Sequence, residues 1–154
     1  INDLFPIIFH VTRPPFQLVV TFYMICFINI SAISFDAYER HEVSVVNEQI
    51  GSPTYTYDLA KLCVDMIQTK EYGTYHATNE GFCSWYEFAC EIFKQANMEV
   101  IVHPVGSSEY PTRAIRPKNS RMNKTELDKH GFKRLPTWQD ALGRYLNIIK
   151  ENNQ

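Results

Sequence analysis

A run of basic residues between positions 113 and 124 contains the side chains of this chain best suited to hold an anion. The basic residues occur without an intervening acidic residue, and they are Arg113, Arg116, Lys118, Arg121 and Lys124. An Arg guanidinium engages phosphate oxygens through paired hydrogen bonds and keeps its charge at every physiological pH. Asn119 and Ser120 add neutral donors within the same run. The run predicts a diphosphate-binding segment, and the alternative is a solvated surface loop.

A second candidate is the turn 51–54, which reads Gly-Ser-Pro-Thr. Its proline restricts the backbone, so neighbouring polar groups are held in place. The Gln49 amide and the hydroxyls of Ser52 and Thr54 are donors and acceptors of the kind that sugar and phosphate oxygens need. The alternative is that Thr54 only caps the following helix and that Gln49 is an exposed strand end.

These two segments must be positioned by regular elements, and the chain alternates strand and helix patterns from residue 43 onward. Val43, Val45 and Val46 favour a strand that leads into the turn. Thr54 or Thr56 is expected to cap the helix that Asp58 begins. Further helices are expected to start at the capping box 84–87, at the cap 123–126 and at 137–140, and strands are expected near 74–77 and 100–105. The pattern predicts an α/β domain.

Composition fits one globular domain and excludes several function classes. The 154 residues are 45% hydrophobic and 21% charged, and the formal net charge is −2. A chain of this length can bury a core, and the charge gives no basic field for nucleic acid. The four cysteines include no C-x-x-C pair and no histidine at a metal-ligand spacing from them. We therefore expect reduced thiols in a cytoplasmic protein, no metal site and no nucleic-acid partner.

The N-terminal segment 1–38 is atypical, because no charged residue occurs between Arg13 and Asp36. The run 16–35 is long enough to span a bilayer. Interspersed polar residues and the absence of a Lys/Arg cluster argue against that interpretation. Three interpretations stay open for this segment: an extension that is not native, a buried strand and helix, or a membrane segment, of which the last is the least favoured.

Four sequence blocks from residue 39 to residue 150 resemble one enzyme family. They read VSVVNEQIGSPTYTYDLAKL (43–62), YGTYHATNEGFCSWYEFACEIFKQA (72–96), RPKNSRMNKTELDKHGF (116–132) and LPTWQDALGRYL (135–146). In order and spacing they resemble the C-terminal part of dTDP-4-dehydrorhamnose reductases, which are extended short-chain dehydrogenase/reductase-type enzymes. The first 38 residues do not resemble the family.

The resemblance implies that residues 39–154 form the substrate-binding portion of an NAD(P)-binding Rossmann-type reductase. In the intact family NADPH reduces dTDP-4-dehydro-L-rhamnose to dTDP-L-rhamnose, and the C-terminal part forms the nucleotide-sugar pocket. The substrate-binding residues expected here are Gln49, Ser52, Thr54, Arg116, Asn119 and Ser120. The expected partner is a dTDP-sugar, with a homodimer as an open possibility and no membrane partner.

The chain is not expected to carry the cofactor site or the catalytic residues of such an enzyme. Its six glycines are dispersed, with no G-x-G-x-x-G turn to receive a pyrophosphate. Tyr57 and Lys61 have the Tyr-x-x-x-Lys spacing, but the resemblance places them after the family's catalytic motif, so we interpret the match as accidental. We expect a fragment that is inactive alone and binds no NADPH. Alternatives are a non-catalytic binding or regulatory subunit and a membrane-tethered module.

Overall fold

The computed structural model describes residues 8–11, 19–21, 41–109 and 116–152, with side-chain environments from residue 41 onward. Most of the N-terminal segment 1–38, together with Cys26 and Arg113, lies outside these ranges, so the interpretations that concern them stay predictions. Within the described residues, no helix is long and apolar enough to cross a membrane.

The described part of the chain alternates strands and helices. The strands are β1 (Ile8–Val11), β2 (Val19–Thr21), β3 (Glu42–Val46), β4 (Ile50–Gly51), β5 (Gly73–His76), β6 (Cys83–Ser84) and β7 (Ile101–Val105). The helices are α1 (Thr56–Ile67), α2 (Trp85–Ala96), α3 (Thr125–Lys129) and α4 (Trp138–Asn152). This order of elements confirms the α/β class predicted from the sequence.

Three small sheets position the loops. Strands β3 and β7 pair in parallel, from Glu42 opposite Ile101 to Val46 opposite Val105. Helix α2 covers this pair, because its Ala89 and Phe93 are buried together with Val45. Strand β1 pairs antiparallel with both β2 and β5, and β4 pairs antiparallel with β6. The β4–β6 pair positions the turn 51–54, because β4 contains the first residue of this turn.

Helix α2 begins at the predicted capping box. The Glu87 backbone N–H donates to Ser84 Oγ at 3.0 Å, and the Ser84 backbone N–H donates to Glu87 Oε2 at 2.7 Å. These two bonds satisfy donors that the first helical turn leaves free. The helix ends at Asn97, whose φ of 56° lies in the left-handed region. Both ends of α2 are therefore fixed by local chemistry.

The predicted cap of α1 is wrong in its details. The helix begins at Thr56, its N-cap position is Tyr55, and no side chain caps it. The Thr54 hydroxyl instead donates to the Ser52 carbonyl at 3.1 Å. The Tyr55 N–H donates to Asn79 Oδ1 at 2.7 Å, so a residue from a distant segment anchors the start of this helix.

Two apolar clusters pack against the helices. The first contains Leu59, Leu62, Met66, Tyr75, Ala77, Leu127 and Leu135. The second contains Tyr55, Cys83, Phe88, Ile92, Trp138, Ala141, Leu142 and Leu146. Helical spacing in the sequence predicts one apolar face for α1, formed by Leu59, Leu62, Cys63, Met66 and Ile67. The structure buries Leu59, Leu62 and Met66 and partly buries Cys63, but leaves Ile67 55% exposed. The connection that contains the turn 51–54 runs between β4 and α1. Tyr55 and Leu59, at the start of α1, belong to these clusters and hold that end of the connection.

Candidate functional site

The two segments predicted to bind a ligand lie side by side. The Ile50 N–H donates to the Lys118 carbonyl at 2.9 Å, and the Ser120 N–H donates to the Ile50 carbonyl at 2.9 Å. On its other edge Ile50 pairs with Ser84. Strand β4 is therefore the middle of three aligned segments, with 118–120 on one side and β6 on the other. We call residues 49–54 and 116–120 the paired loops.

Four of the six predicted site residues hold polar groups at or near the surface of the paired loops. Gln49 is half-buried and its Nε2 donates to Ser107 Oγ at 3.4 Å. Asn119 is exposed, and its Oδ1 accepts from the backbone N–H of Arg121 at 3.1 Å. Arg116 and Ser120 are both half-buried, and the Ser120 hydroxyl donates to the Ile50 carbonyl at 3.1 Å.

The other two predicted residues, Ser52 and Thr54, turn their side chains inward. They are 3% and 1% exposed. Ser52 Oγ donates to the Gly81 carbonyl at 2.8 Å, and the Thr54 hydroxyl closes the turn on Ser52, as described above. In this arrangement both hydroxyls fix the shape of the turn.

The Gly81 position that receives Ser52 requires glycine. Its φ of +86° is left-handed, and a Cβ there would lie 3.1 Å from Cδ1 of the buried Trp138. Both the backbone and the packing thus exclude a side chain. The loop after β5 can pack against Trp138 in this backbone conformation because this residue is glycine.

The basic run divides into groups with different environments. Lys118 is exposed and its Nζ lies 3.3 Å from Glu48 Oε2. The Ser107 N–H, the Ser107 hydroxyl and Lys118 together hold the pKa of Glu48 below its ordinary value. Because the Lys118 ammonium already faces the Glu48 carboxylate, its attraction for a diphosphate is reduced.

Lys124 is buried and ion-paired, which corrects its inclusion in the run predicted to bind a diphosphate. Its side chain is 4% exposed and its Nζ lies 2.7 Å from Glu80 Oε1. The same Nζ donates to the Asn79 carbonyl at 3.2 Å. A buried ammonium needs such partners, because desolvation of an unpaired charge is costly. Through these contacts with Glu80 and Asn79, Lys124 holds the loop after β5 in place.

A polar cluster of the buried Asp58 and Asn79 with the half-buried Arg144 lies beneath the turn's junction with α1, and no sequence pattern predicted it. Arg144 donates from both terminal nitrogens to the two Asp58 carboxylate oxygens, each at 2.7 Å. Asn79, which is fully buried, donates to Asp58 Oδ2 at 2.9 Å. The three residues come from α4, α1 and the loop after β5, and no local spacing links them. The cluster fixes the start of α1 immediately after the turn 51–54.

Other candidate groups lie outside the paired loops. Tyr57 lies in the first turn of α1 with 66% of its surface exposed, and Lys61 is exposed. Trp138 is buried in the core, as predicted. Cys63, Cys83 and Cys90 are free thiols. Among the described residues, no group of three His, Cys, Asp or Glu side chains could hold a metal ion.

Comparison with known proteins shows that both paired loops lie within the part of the chain that one family model matches. The sequence model of the family described as RmlD substrate binding domain matches residues 30–151. The chain belongs to this family. The match begins within the N-terminal segment 1–38 and includes both paired loops, so the resemblance predicted from the four blocks is confirmed.

Curated relatives of this RmlD-family chain are longer proteins. It is 38% identical over 107 residues to the spore coat polysaccharide biosynthesis protein SpsK of Bacillus subtilis, covering 70% of this chain and 37% of the relative. It is 34% identical over 124 residues to the dTDP-4-dehydrorhamnose reductase of Escherichia coli, covering 73% of this chain and 42% of the relative. The chain thus spans about two fifths of the length of these relatives.

Solved structures agree with the family assignment. A dTDP-4-dehydrorhamnose reductase from Bacillus anthracis, solved in complex with NADP, matches with a TM-score of 0.75 and 44% identity. The match covers 77% of this chain and 42% of that one. The Clostridium acetobutylicum reductase matches with a TM-score of 0.76 and 35% identity, covering 79% and 43%. The fold is therefore that of the substrate-binding portion of these Rossmann-type reductases.

Proposed function

We propose that this chain supplies the nucleotide-sugar-binding half of an enzyme that reduces dTDP-4-dehydro-L-rhamnose to dTDP-L-rhamnose with NADPH. The observation that carries the proposal is the pairing of residues 49–54 with residues 116–120. It brings two segments rich in polar groups together within the part of the chain matched to a substrate-binding family.

The proposed ligand contacts follow from the chemistry of the paired loops. Arg116 would bind the diphosphate, because its guanidinium matches two phosphate oxygens. Asn119 Oδ1 already accepts from Arg121, which leaves its Nδ2 as the donor offered to the ligand. Gln49 and Ser120 would add contacts to sugar or phosphate oxygens. Ser52 and Thr54 would support these contacts by keeping the turn 51–54 in shape.

The residues described here do not fit a dinucleotide cofactor. Such a site needs closely spaced glycines so that backbone N–H groups can approach a pyrophosphate. Gly51 of the paired loops and Gly81, whose carbonyl accepts from Ser52, belong to separate segments, and Gly81 packs beside Trp138. We therefore assign NADPH to the part of the relatives that this chain does not span and derive no step through it.

We further propose a cytoplasmic setting, which the free thiols Cys63, Cys83 and Cys90 support, because thiols stay reduced there. A homodimer is a second proposal, and sedimentation of the purified chain would test it. The alternative function is a non-catalytic binding module of the same family. The mismatch with a dinucleotide site favours that alternative as well, so turnover has to be tested together with binding.

The test uses the full chain with dTDP-4-dehydro-L-rhamnose and NADPH. We expect calorimetry to show dTDP binding and a spectrophotometer to show no NADPH oxidation above background, because the residues that the structure describes bring neither a positioned hydride donor nor a general acid to the sugar. Turnover above background would contradict the proposal that the chain is only the binding half. Absence of dTDP binding would contradict a nucleotide-sugar site.

A further inference from the structure

Glu48 is an acidic side chain placed against a basic residue of the paired loops. It directly precedes residues 49–54, and its Oε2 lies 3.3 Å from Nζ of Lys118 in the other paired loop. The two side chains are 44% and 72% exposed. An ion pair this exposed adds little to stability, and a surface that only attracted anions would leave the ammonium unpaired. The position of this carboxylate therefore points to an effect on binding.

The Glu48 carboxylate is held in place by the loop after β7. The Ser107 backbone N–H donates to Glu48 Oε2 at 3.2 Å, and Gln49 Nε2 donates to Ser107 Oγ at 3.4 Å. Ser107 and, after it, Lys118 hold the pKa of Glu48 below its ordinary value. A negative charge is therefore fixed beside Lys118 at neutral pH.

A second carboxylate lies on the same side of this loop. The Gly106 N–H donates to Glu109 Oε1 at 2.8 Å. A Cβ built on Gly106 would lie 3.3 Å from Glu109 Oε1 and 4.0 Å from Glu48 Oε1. The two acidic side chains thus approach one point of the loop, and the Lys118 ammonium at 3.3 Å from Glu48 adds one positive charge to them. This edge of the paired loops carries more negative than positive charge.

We propose that Glu48 determines specificity by making the paired loops prefer a diphosphate esterified at both ends, as in a nucleotide sugar, to a free nucleoside diphosphate. The inference rests on the proposed function, because it concerns the charge of a ligand at the same site. A terminal phosphate loses its last proton with a pKa of about 6, so a free nucleoside diphosphate carries an additional negative charge at neutral pH. Glu48 repels that charge, and such repulsion discriminates between ligands that are otherwise alike. The carboxylate thereby keeps free nucleoside diphosphate from competing with the nucleotide sugar.

The test compares dTDP with dTDP-glucose, whose diphosphate is esterified at both ends. Calorimetry on the full chain at about pH 8, above the last pKa of dTDP, measures both ligands with the wild type, Glu48→Gln and Glu42→Gln. Glutamine removes the charge and keeps an oxygen that can accept from Ser107. Glu42 is the matched control, because it is also an exposed acid, it pairs with His103 at 3.3 Å, and it lies at the far end of β3 from the paired loops.

We expect Glu48→Gln to tighten dTDP binding by roughly fivefold and dTDP-glucose binding by less than about twofold. The control Glu42→Gln should change neither affinity, and Glu48→Asp, which retains the charge, should keep the wild-type ratio of the two affinities. Thermal unfolding checks that each variant retains the fold.

Two further readouts separate a charge effect from a merely structural one. The gain in dTDP affinity of Glu48→Gln should shrink as salt is added, because exposed charges are screened. In the Glu48→Gln background the Lys118 ammonium is released, so Lys118→Ala should weaken dTDP binding more than it does in the wild-type background.

Equal changes in the two affinities in Glu48→Gln, or weaker binding of both ligands, would overturn the discrimination by charge. A gain for dTDP that salt leaves unchanged would overturn it as well. Unchanged dTDP binding in Glu48→Gln, with Arg116→Ala still impaired, would overturn this inference alone. Failure of the wild type to bind either nucleotide would overturn it together with the proposed function.

Discussion

Replacement of Asp58 by Ala should lower the free energy of unfolding by about 3 kcal/mol. The substitution removes the acceptor of two charge-assisted hydrogen bonds from Arg144 and one bond from the buried Asn79. It leaves the Asn79 amide without this acceptor inside the protein, and an unpaired buried donor carries its full desolvation cost. Chemical denaturation of the purified chain, followed by circular dichroism, measures the change.

Asp140→Ala is the matched control for this prediction. Asp140 also pairs with Arg144, at 2.9 Å, but its side chain is 55% exposed. Exposed helix pairs of this kind contribute at most about 0.5 kcal/mol. Equal losses from the two substitutions would contradict the role assigned to the buried cluster.

The same cluster predicts how stability depends on pH. Burial acts to raise the pKa of Asp58, but the hydrogen bonds from Arg144 and Asn79 more than offset it, so the pKa lies below its ordinary value. A depressed carboxyl pKa stabilises the folded state above the unfolded value of about 4, and this stabilisation is lost as the pH falls through the folded pKa. The difference in stability between wild type and Asp58→Ala should therefore shrink in acid, as denaturation at several pH values would show.

Replacement of Arg116 by Ala should weaken dTDP binding by roughly tenfold to a hundredfold. The substitution removes charge-assisted hydrogen bonds to the diphosphate. Lys118, the other basic residue of the paired loops, cannot replace the paired hydrogen bonds of the Arg116 guanidinium. Lys118→Ala is the matched control, because Lys118 is adjacent, exposed and already faces Glu48. Its loss should matter much less.

Calorimetry with dTDP measures both variants, and thermal unfolding confirms that each retains the fold. If the two substitutions weakened dTDP binding equally, or if neither did, residues 116–120 would be a solvated loop. That result would move the nucleotide to another part of the chain.

Several features that depend on neighbouring residues were predicted correctly from the sequence, although the cap of α1 was not. The capping box of α2 is one example, because Ser84 and Glu87 satisfy each other's backbone donors within a single turn. The buried positions Leu59, Leu62 and Met66 are another, since helical spacing alone places them on one face.

Features that depend on contacts between distant segments were not predictable in this way. Lys124 reads as one more basic residue of the run, and only the loop after β5 makes it a buried partner of Glu80. Asn79 reads as a turn residue, but it joins α1 and α4 through Asp58 and Arg144. The inward direction of Ser52 is set by Gly81, 29 residues away. Over such separations, the packing of the whole fold decides which side chains meet. These contacts leave no regular spacing in the sequence.

The central claim is that the paired loops form the nucleotide site, and amide hydrogen exchange with saturating dTDP tests it most directly. Backbone N–H groups that a ligand covers or orders exchange more slowly. We predict slower exchange at residues 49–54 and 116–121, with no change in the parallel pair β3–β7. Slower exchange confined to other segments, or none at either loop with dTDP bound, would contradict the claim.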